Sequence, residues 1–219
     1  ITTKGEVVPT GLQAHSFADA DGAAFRKKHG IEQDRPMALF VGRVAFEKNI
    51  GFLLQMWVHL IKKMPNALLV IAGEGPAEKS LHALSHKLGL ENNVRFLGYL
   101  DRNTELNACY QSADLFVFAS KSETQGLVIL EAMAQATPVV AIAELGTKSI
   151  LIEGEGALIA PDEEIEFANK VERVLSDKAL RQQLSKAGLS YVKAQWTDKV
   201  QAERMIGFYQ EVVDLKKQA

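Results

Sequence analysis

The feature that most constrains this chain is the texture of its apolar residues. They arrive in six short runs: ALFVGRV (38–44), ALLVIAG (67–73), VRFLG (94–98), LFVFAS (115–120), PVVAIA (138–143) and GALIA (156–160). A strand with one wet face alternates apolar and polar residues, whereas a strand covered on both faces does not. These runs are close to continuously apolar, so they read as parallel strands buried inside a layered α/β domain. Helical patterns lie between them. In 49–64, Phe52, Leu53, Met56, Trp57, Leu60, Ile61 and Met64 fall on one stripe of 3.6-residue period, and Pro65 stops it.

A second helix is expected to open at Pro76 and close at Gly89, and a third spans about 102–112 with Leu106, Cys109 and Tyr110. A fourth starts near Gly126, and a short one lies within 146–153. From 163 onward the pattern is all-helical, in segments 163–176, 177–194 and 198–217, with Asp162, Asp177 and Thr197 or Asp198 as N-caps. The sequence thus predicts an α/β fold, a Rossmann-like open parallel sheet of about six strands flanked by helices, with additional C-terminal helices. Residues 1–37 read as a lead-in segment and interdomain edge, and 38–219 as the domain.

Composition removes several function classes. The 25 basic and 27 acidic side chains give a net charge of -2, which offers no electrostatic footprint for nucleic acid. A single cysteine, Cys109, rules out an internal disulfide and fits a reducing compartment. No apolar run approaches the roughly 20 residues that span a bilayer. The chain begins at Ile1 with no initiator Met and no signal-peptide pattern, as an excised piece would.

The architecture directs attention to the loops leaving the strands, because open parallel sheets bind ligands beyond their carboxyl ends. Arg43 and Lys48, with Gly42 before them, form one such loop, suited to neutralising a diphosphate and equally readable as a solvated turn. In GEG (73–75), Gly73 and Gly75 allow a sharp turn or the close approach of a ligand, but the third glycine of a dinucleotide fingerprint is missing, and so is a P-loop. Asp19 and Asp21 form a D-x-D that reads as a turn or a helix cap. His82 and His86 share a helix face without a third ligand, so no metal site is expected. Cys109 reads as core.

The remaining signal is KSETQGLVILE (121–131). Glu123 stands just past a strand, and Glu131 about a turn and a half into the next helix. Leu127 to Leu130 and Ala132 to Ala134 leave that helix no polar face, so Glu131 is expected to be buried. Carboxylates are seldom buried unpaired. A hydroxyl-rich ligand could supply the hydrogen bonds, and phosphates could use the free N–H groups at Gly126, Leu127 and Val128.

The motifs VGRVAFEKN, IAGEGP, VRFLGYL and ETQGLVILEAMAQATPVVA, in this order, resemble those of the group 1 (family 4) glycosyltransferases. The resemblance runs from VVPTGL (7–12) to LIAP (158–161) and is to the C-terminal lobe of these retaining, two-lobed GT-B enzymes. It implies that Arg43 and Lys48 hold the donor diphosphate and act with Glu123 in catalysis. It implies that Glu123 and the loop residues Thr124 and Gln125 meet the transferred sugar, and that Gly126, Leu127 and Val128 cradle the sugar and distal phosphate. Glu131 takes the ribose, Leu97 and Gly98 meet the base, and Gly42 and Gly73 line the site. No cofactor or metal is implied, only a nucleoside diphosphate sugar as donor, with a UDP-sugar favoured. The implied partners are the absent N-terminal lobe and an acceptor sugar or lipid. The implied location is cytoplasmic, with at most peripheral membrane contact. The fragment alone is expected to bind donor without transferring sugar.

One stretch departs from the family pattern. After the strand at 138–143 the family often has a Gly-Gly pair followed by a glutamate, whereas AELGTKSIL has only Gly146, with Ser149 near the acid's place. The S-E-T-Q-G-L run resembles glucosyltransferases acting on diacylglycerol. Competing readings are a sugar-nucleotide epimerase lobe, a non-catalytic nucleotide-sugar module and a flavodoxin-like signalling domain. The last two lose ground to the intact Arg43, Lys48, Glu123 and Glu131 set and to the lack of an acidic cluster at a strand end.

Overall fold

The computed structural model describes residues 5–218, so the parts of the expected segments that fall on 1–4 and 219 lie outside the described residues. The strands are β1 (Met37–Val41), β2 (Leu68–Ala72), β3 (Val94–Gly98), β4 (Leu115–Phe118), β5 (Val139–Ala141) and β6 (Ala157–Ile159). The helices are α1 (Gly22–Lys28), α2 (Ile50–Ile61), α3 (Glu78–Lys87), α4 (Leu106–Ser112), α5 (Leu127–Ala134), α6 (Glu164–Ser176), α7 (Lys178–Gln195) and α8 (Asp198–Gln218). Short 3-10 turns occupy Ala14–Phe17, Phe46–Lys48 and Leu145–Ser149.

All strands are parallel and pair in the order β3-β2-β1-β4-β5-β6. Every residue of β1, β2, β4 and β5 is buried, which is why those runs are apolar without alternation. The core extends from the sheet into helix faces: α2 packs on α6, where Phe52 and Phe167 meet edge-on at 5.5 Å between ring centres, and α5 packs on α7. Fully buried side chains such as Leu53, Trp57 and Phe167 each stabilise the fold by about 1.5–3 kcal/mol.

The strands are shorter than the apolar runs because a ladder lasts only while its neighbours run alongside. Past Val41 the chain turns instead toward the β2 exit, Val44 N–H donating to the Glu74 carbonyl. Three helix starts differ from expectation. Helix α3 begins at Glu78 rather than Pro76, and α4 begins at Leu106 because Asp101 turns the preceding loop by accepting from the N–H groups of Asn103 and Thr104. Glu163, not Asp162, caps α6, accepting from Ile165 and Glu166 N–H, while Asp162 pairs with Lys121. Asp177 caps α7 as expected, and Thr197 accepts from Val200 N–H at the start of α8.

The segment before β1 holds a helix that the sequence pattern does not announce. Helix α1 is capped by Asp21 and packs on α4. Its Arg26, only 5% exposed, donates to the carbonyls of Ser112, Glu32, Gln33 and Arg35 and to Asp114.

Candidate functional site

In this strand order, β1 and β4 are neighbours that lead away to opposite edges of the sheet. The gap between their exits is the switch point at which such sheets bind ligands. It is stitched across: Asn49 Nδ2 donates to the Ala119 carbonyl at 3.2 Å, and Ser120 Oγ donates to the Glu47 carbonyl at 3.2 Å. Lys48 Nζ meets Glu123 Oε1 at 2.5 Å, both side chains being largely shielded from solvent. Two residues singled out from different motifs are therefore one ion pair spanning the switch point.

Beside this pair starts α5. Gly126 occupies the left-handed region at φ 83°, and no side chain among the described residues caps the helix. The first N–H groups of any α-helix lack intrahelical acceptors, so this end offers donors to an anion. The Glu123 loop is braced from the β5 exit by the Gly146 N–H, which donates to the Glu123 carbonyl at 3.0 Å.

A cavity of about 280 Å³ opens at the β1, β2 and β3 exits, lined by Gly42, Arg43, Gly73, Glu74, Arg102 and Val128 among others. Arg43 is 66% exposed and leans on Glu47 at 4.0 Å. At Gly73 a Cβ would lie 1.9 Å from the Gly42 carbonyl oxygen, and its own N–H donates to the Gly98 carbonyl at 2.7 Å. Glycine at 73 is therefore demanded by strand-exit packing, whatever else approaches it.

Glu131 is buried, at 6% exposure, as its apolar neighbours predict. Its partners come from the protein. Tyr110 O–H donates to Oε2 at 3.0 Å, and Arg102 Nη2 donates to Oε1. Burial, then the Glu131 charge and the hydrogen bond to it, hold the Tyr110 phenol well above its usual pKa. Sequence reasoning missed both donors. The signal existed, since a buried acid needs donors and both residues were in view, Tyr110 in the helix at 102–112 and Arg102 in the loop at 98–103.

The other expected site residues divide. Gly42, Arg43, Gly73 and Val128 line the cavity, while Leu97 and Gly98 end β3, Thr124 lies between β4 and α5, and Leu127 opens α5. Gln125 is engaged elsewhere: its amide donates to the Thr10 carbonyl at 2.7 Å and accepts from Thr10 N–H at 3.1 Å. Among the other candidates, Asp21 caps α1 through Ala24 N–H, His82 and His86 face Glu78 and Glu91, and Cys109 is core. Among the described residues no cluster of His, Cys, Asp and Glu is arranged to hold a metal ion, and no helix is long and apolar enough to cross a membrane.

Fold and site together define a Rossmann-like lobe of GT-B type with an ion-paired cleft at its switch point. The sequence of residues 21–190 matches the model for "Glycosyl transferases group 1", and the chain belongs to that family. It is 30% identical over 206 residues to the alpha-D-kanosaminyltransferase of Streptomyces kanamyceticus, covering 92% of this chain and 53% of that protein. It is 34% identical over 139 residues to the alpha-monoglucosyldiacylglycerol synthase of Acholeplasma laidlawii, covering 61% and 35%. The sucrose-phosphate synthase structure from Thermosynechococcus elongatus superposes with a TM-score of 0.82 at 29% identity, over 96% of this chain and 53% of that one. Anabaena HepE, solved with UDP, superposes at 0.84 with 20% identity, over 94% and 57%, a likeness of fold. This chain spans about half the length, or less, of the curated relatives it matches.

Proposed function

We propose that this chain is the donor-binding lobe of a hexosyltransferase that moves a hexose from a nucleoside diphosphate sugar, a UDP-sugar by preference, to an acceptor sugar or lipid with retention. The observation that carries the reading is the Lys48–Glu123 pair, set across the switch point beside the uncapped start of α5. A nucleoside diphosphate leaving a sugar gathers negative charge, and fixed cations and N–H dipoles stabilise that charge without reorganising. In this reading Arg43 and Lys48 serve that role in place of a metal ion. Glu123, held by Lys48, presents its remaining acceptor positions to the sugar hydroxyls, with Thr124 at the same loop. The N–H groups of Gly126, Leu127 and Val128 take the distal phosphate. Glu131 takes the ribose, and the backbone at Leu97 and Gly98 meets the base. The enzyme is cytoplasmic in this reading, with peripheral membrane contact at most.

Transfer also needs a second lobe to present the acceptor, so the chain alone binds donor and does not turn it over. Calorimetric titration with UDP, GDP, ADP and their glucose, mannose and N-acetylglucosamine conjugates tests the reading. Binding is expected, strongest in the uridine series, and Lys48→Ala is expected to weaken it by about tenfold or more. If no nucleotide or conjugate binds at millimolar concentration, the donor reading is wrong.

A further inference from the structure

Glu131 already has two donors, and they differ in kind. Tyr110 is completely buried and fixed in α4, whereas Arg102 is 55% exposed on the loop leaving β3. Arg102 also lines the cavity that holds Arg43, so a ligand entering there meets the Arg102 guanidinium beside the Glu131 carboxylate. Arg102 Nη2 holds Glu131 Oε1, so a ribose hydroxyl that donates to that oxygen takes the place Arg102 now holds. Pulling Arg102 away without a substitute leaves the buried Glu131 carboxylate its Tyr110 donor but no partner on Oε1, which is unfavourable.

We propose that Arg102 is a specificity-determining residue that makes the site demand ribose and diphosphate from one ligand. On the reading of Glu131 as the ribose partner, binding is an exchange of partners. The ribose diol replaces the guanidinium on Glu131 with two neutral O–H donors, and the freed guanidinium moves to the diphosphate, a planar-fork acceptor well suited to arginine. A nucleoside diphosphate satisfies both groups that it separates. A bare nucleoside separates them and satisfies only Glu131. Inorganic phosphate or diphosphate can meet the exposed part of Arg102 but offers no donor to Glu131 in exchange.

The exchange gives Arg102→Ala an opposite effect on two ligands. With the guanidinium gone, Glu131 is open, and a nucleoside no longer has to displace anything. Uridine is expected to bind the variant roughly tenfold tighter than it binds the unaltered chain, the scale of one charge-assisted hydrogen bond. UDP, which loses both the displacement and the compensating phosphate contact, is expected to change by less than about threefold. Arg102→Lys, a cation without the fork, should fall between the two and guards against loss of fold in the alanine variant, which thermal unfolding also monitors. Adenosine with ADP and guanosine with GDP run alongside. If UDP binds and Glu131→Gln weakens it, the donor reading stands, and uridine binding that is unchanged or weaker in Arg102→Ala then overturns the exchange alone. If no diphosphate binds the unaltered chain, the donor reading itself fails.

Discussion

Removing the Tyr110 hydroxyl tests whether the protein itself supports the buried charge of Glu131. The hydroxyl donates to Glu131 Oε2 at 3.0 Å from a fully buried ring, and the carboxylate is 6% exposed. Tyr110→Phe keeps the ring and its contact with Phe116, at 5.8 Å between centroids, and deletes only the donor. A hydrogen bond to a charged group contributes about 1.5–3 kcal/mol, and Arg102 remains to share the carboxylate, so the expected loss is about 2 kcal/mol. For a chain of this length that lowers the Tm by roughly 4–8 °C. Urea unfolding near neutral pH should show a lower midpoint with an unchanged slope. The pH dependence supplies the sign. The folded protein holds the phenol above its ordinary pKa of 10.0, through burial first and the Glu131 charge second. Below that value both states carry the proton and the contribution is complete. Above it the unfolded chain releases a proton that the folded protein keeps, so stability falls as pH rises, by at most about 1.4 kcal/mol per unit. Tyr110→Phe lacks this loss, so the two stability curves should converge above pH 10. A variant within about 0.5 kcal/mol of the parent at neutral pH, with a parallel alkaline limb, would refute the reasoning.

Two other perturbations address the frame around the site. Leu145 adopts φ 46° while 67% exposed, a left-handed conformation that costs an L-residue about 1–2 kcal/mol, so Leu145→Gly should raise stability by about 0.5–1 kcal/mol in denaturant titration; no gain would mean that the Leu145 side chain makes a compensating contact. Arg26→Leu removes the donor shared by four backbone carbonyls, of Ser112, Glu32, Gln33 and Arg35, and by Asp114, and should cost about 3–5 kcal/mol by the same assay; a loss under about 1 kcal/mol would show that the segment before β1 is not integral to the fold.

Much of the fold was legible because burial on both faces writes itself directly into composition. The six apolar runs mark β1 to β6, and the stripe from Phe52 to Met64 marks α2. What was illegible is the work done by polar residues at a distance. Helix α1 has only seven residues, too few for a periodic signal, and is held by Asp21 and by Arg26 reaching Asp114, just before β4. The Asp162 cap failed because its neighbour Glu163 won the N–H groups, a choice between adjacent acids that propensity does not resolve. In the site, glutamates 123 and 131 announce themselves as acids where a strand and a helix should be dry. Lys48 was found as a member of its own loop, yet its pairing with Glu123 across 75 positions is visible only once β1 and β4 lie side by side. Arg102 and Tyr110 were missed for a related reason: the need for donors to Glu131 was recognised, and the donors were sought in a ligand.

On the donor reading, the pairing changes how anion recognition operates. Each cation singled out at the cleft leans on a carboxylate: Arg43 on Glu47, Lys48 on Glu123 and Arg102 on Glu131. The chain as a whole carries a net charge of -2. A site of this kind exerts little attraction on anions at long range, where paired charges cancel and salt screens the remainder beyond about 8–10 Å. On the donor reading, affinity therefore comes from exchanging partners at contact distance. A ligand gains only if it brings an anion for the cations and hydroxyl donors for the carboxylates at the same spacing. Inorganic phosphate brings the first and a free sugar the second, and a nucleoside diphosphate sugar brings both. The two acids that looked misplaced in the sequence are then the source of selectivity: they hold the cations in place at rest and set what a ligand must supply to release them.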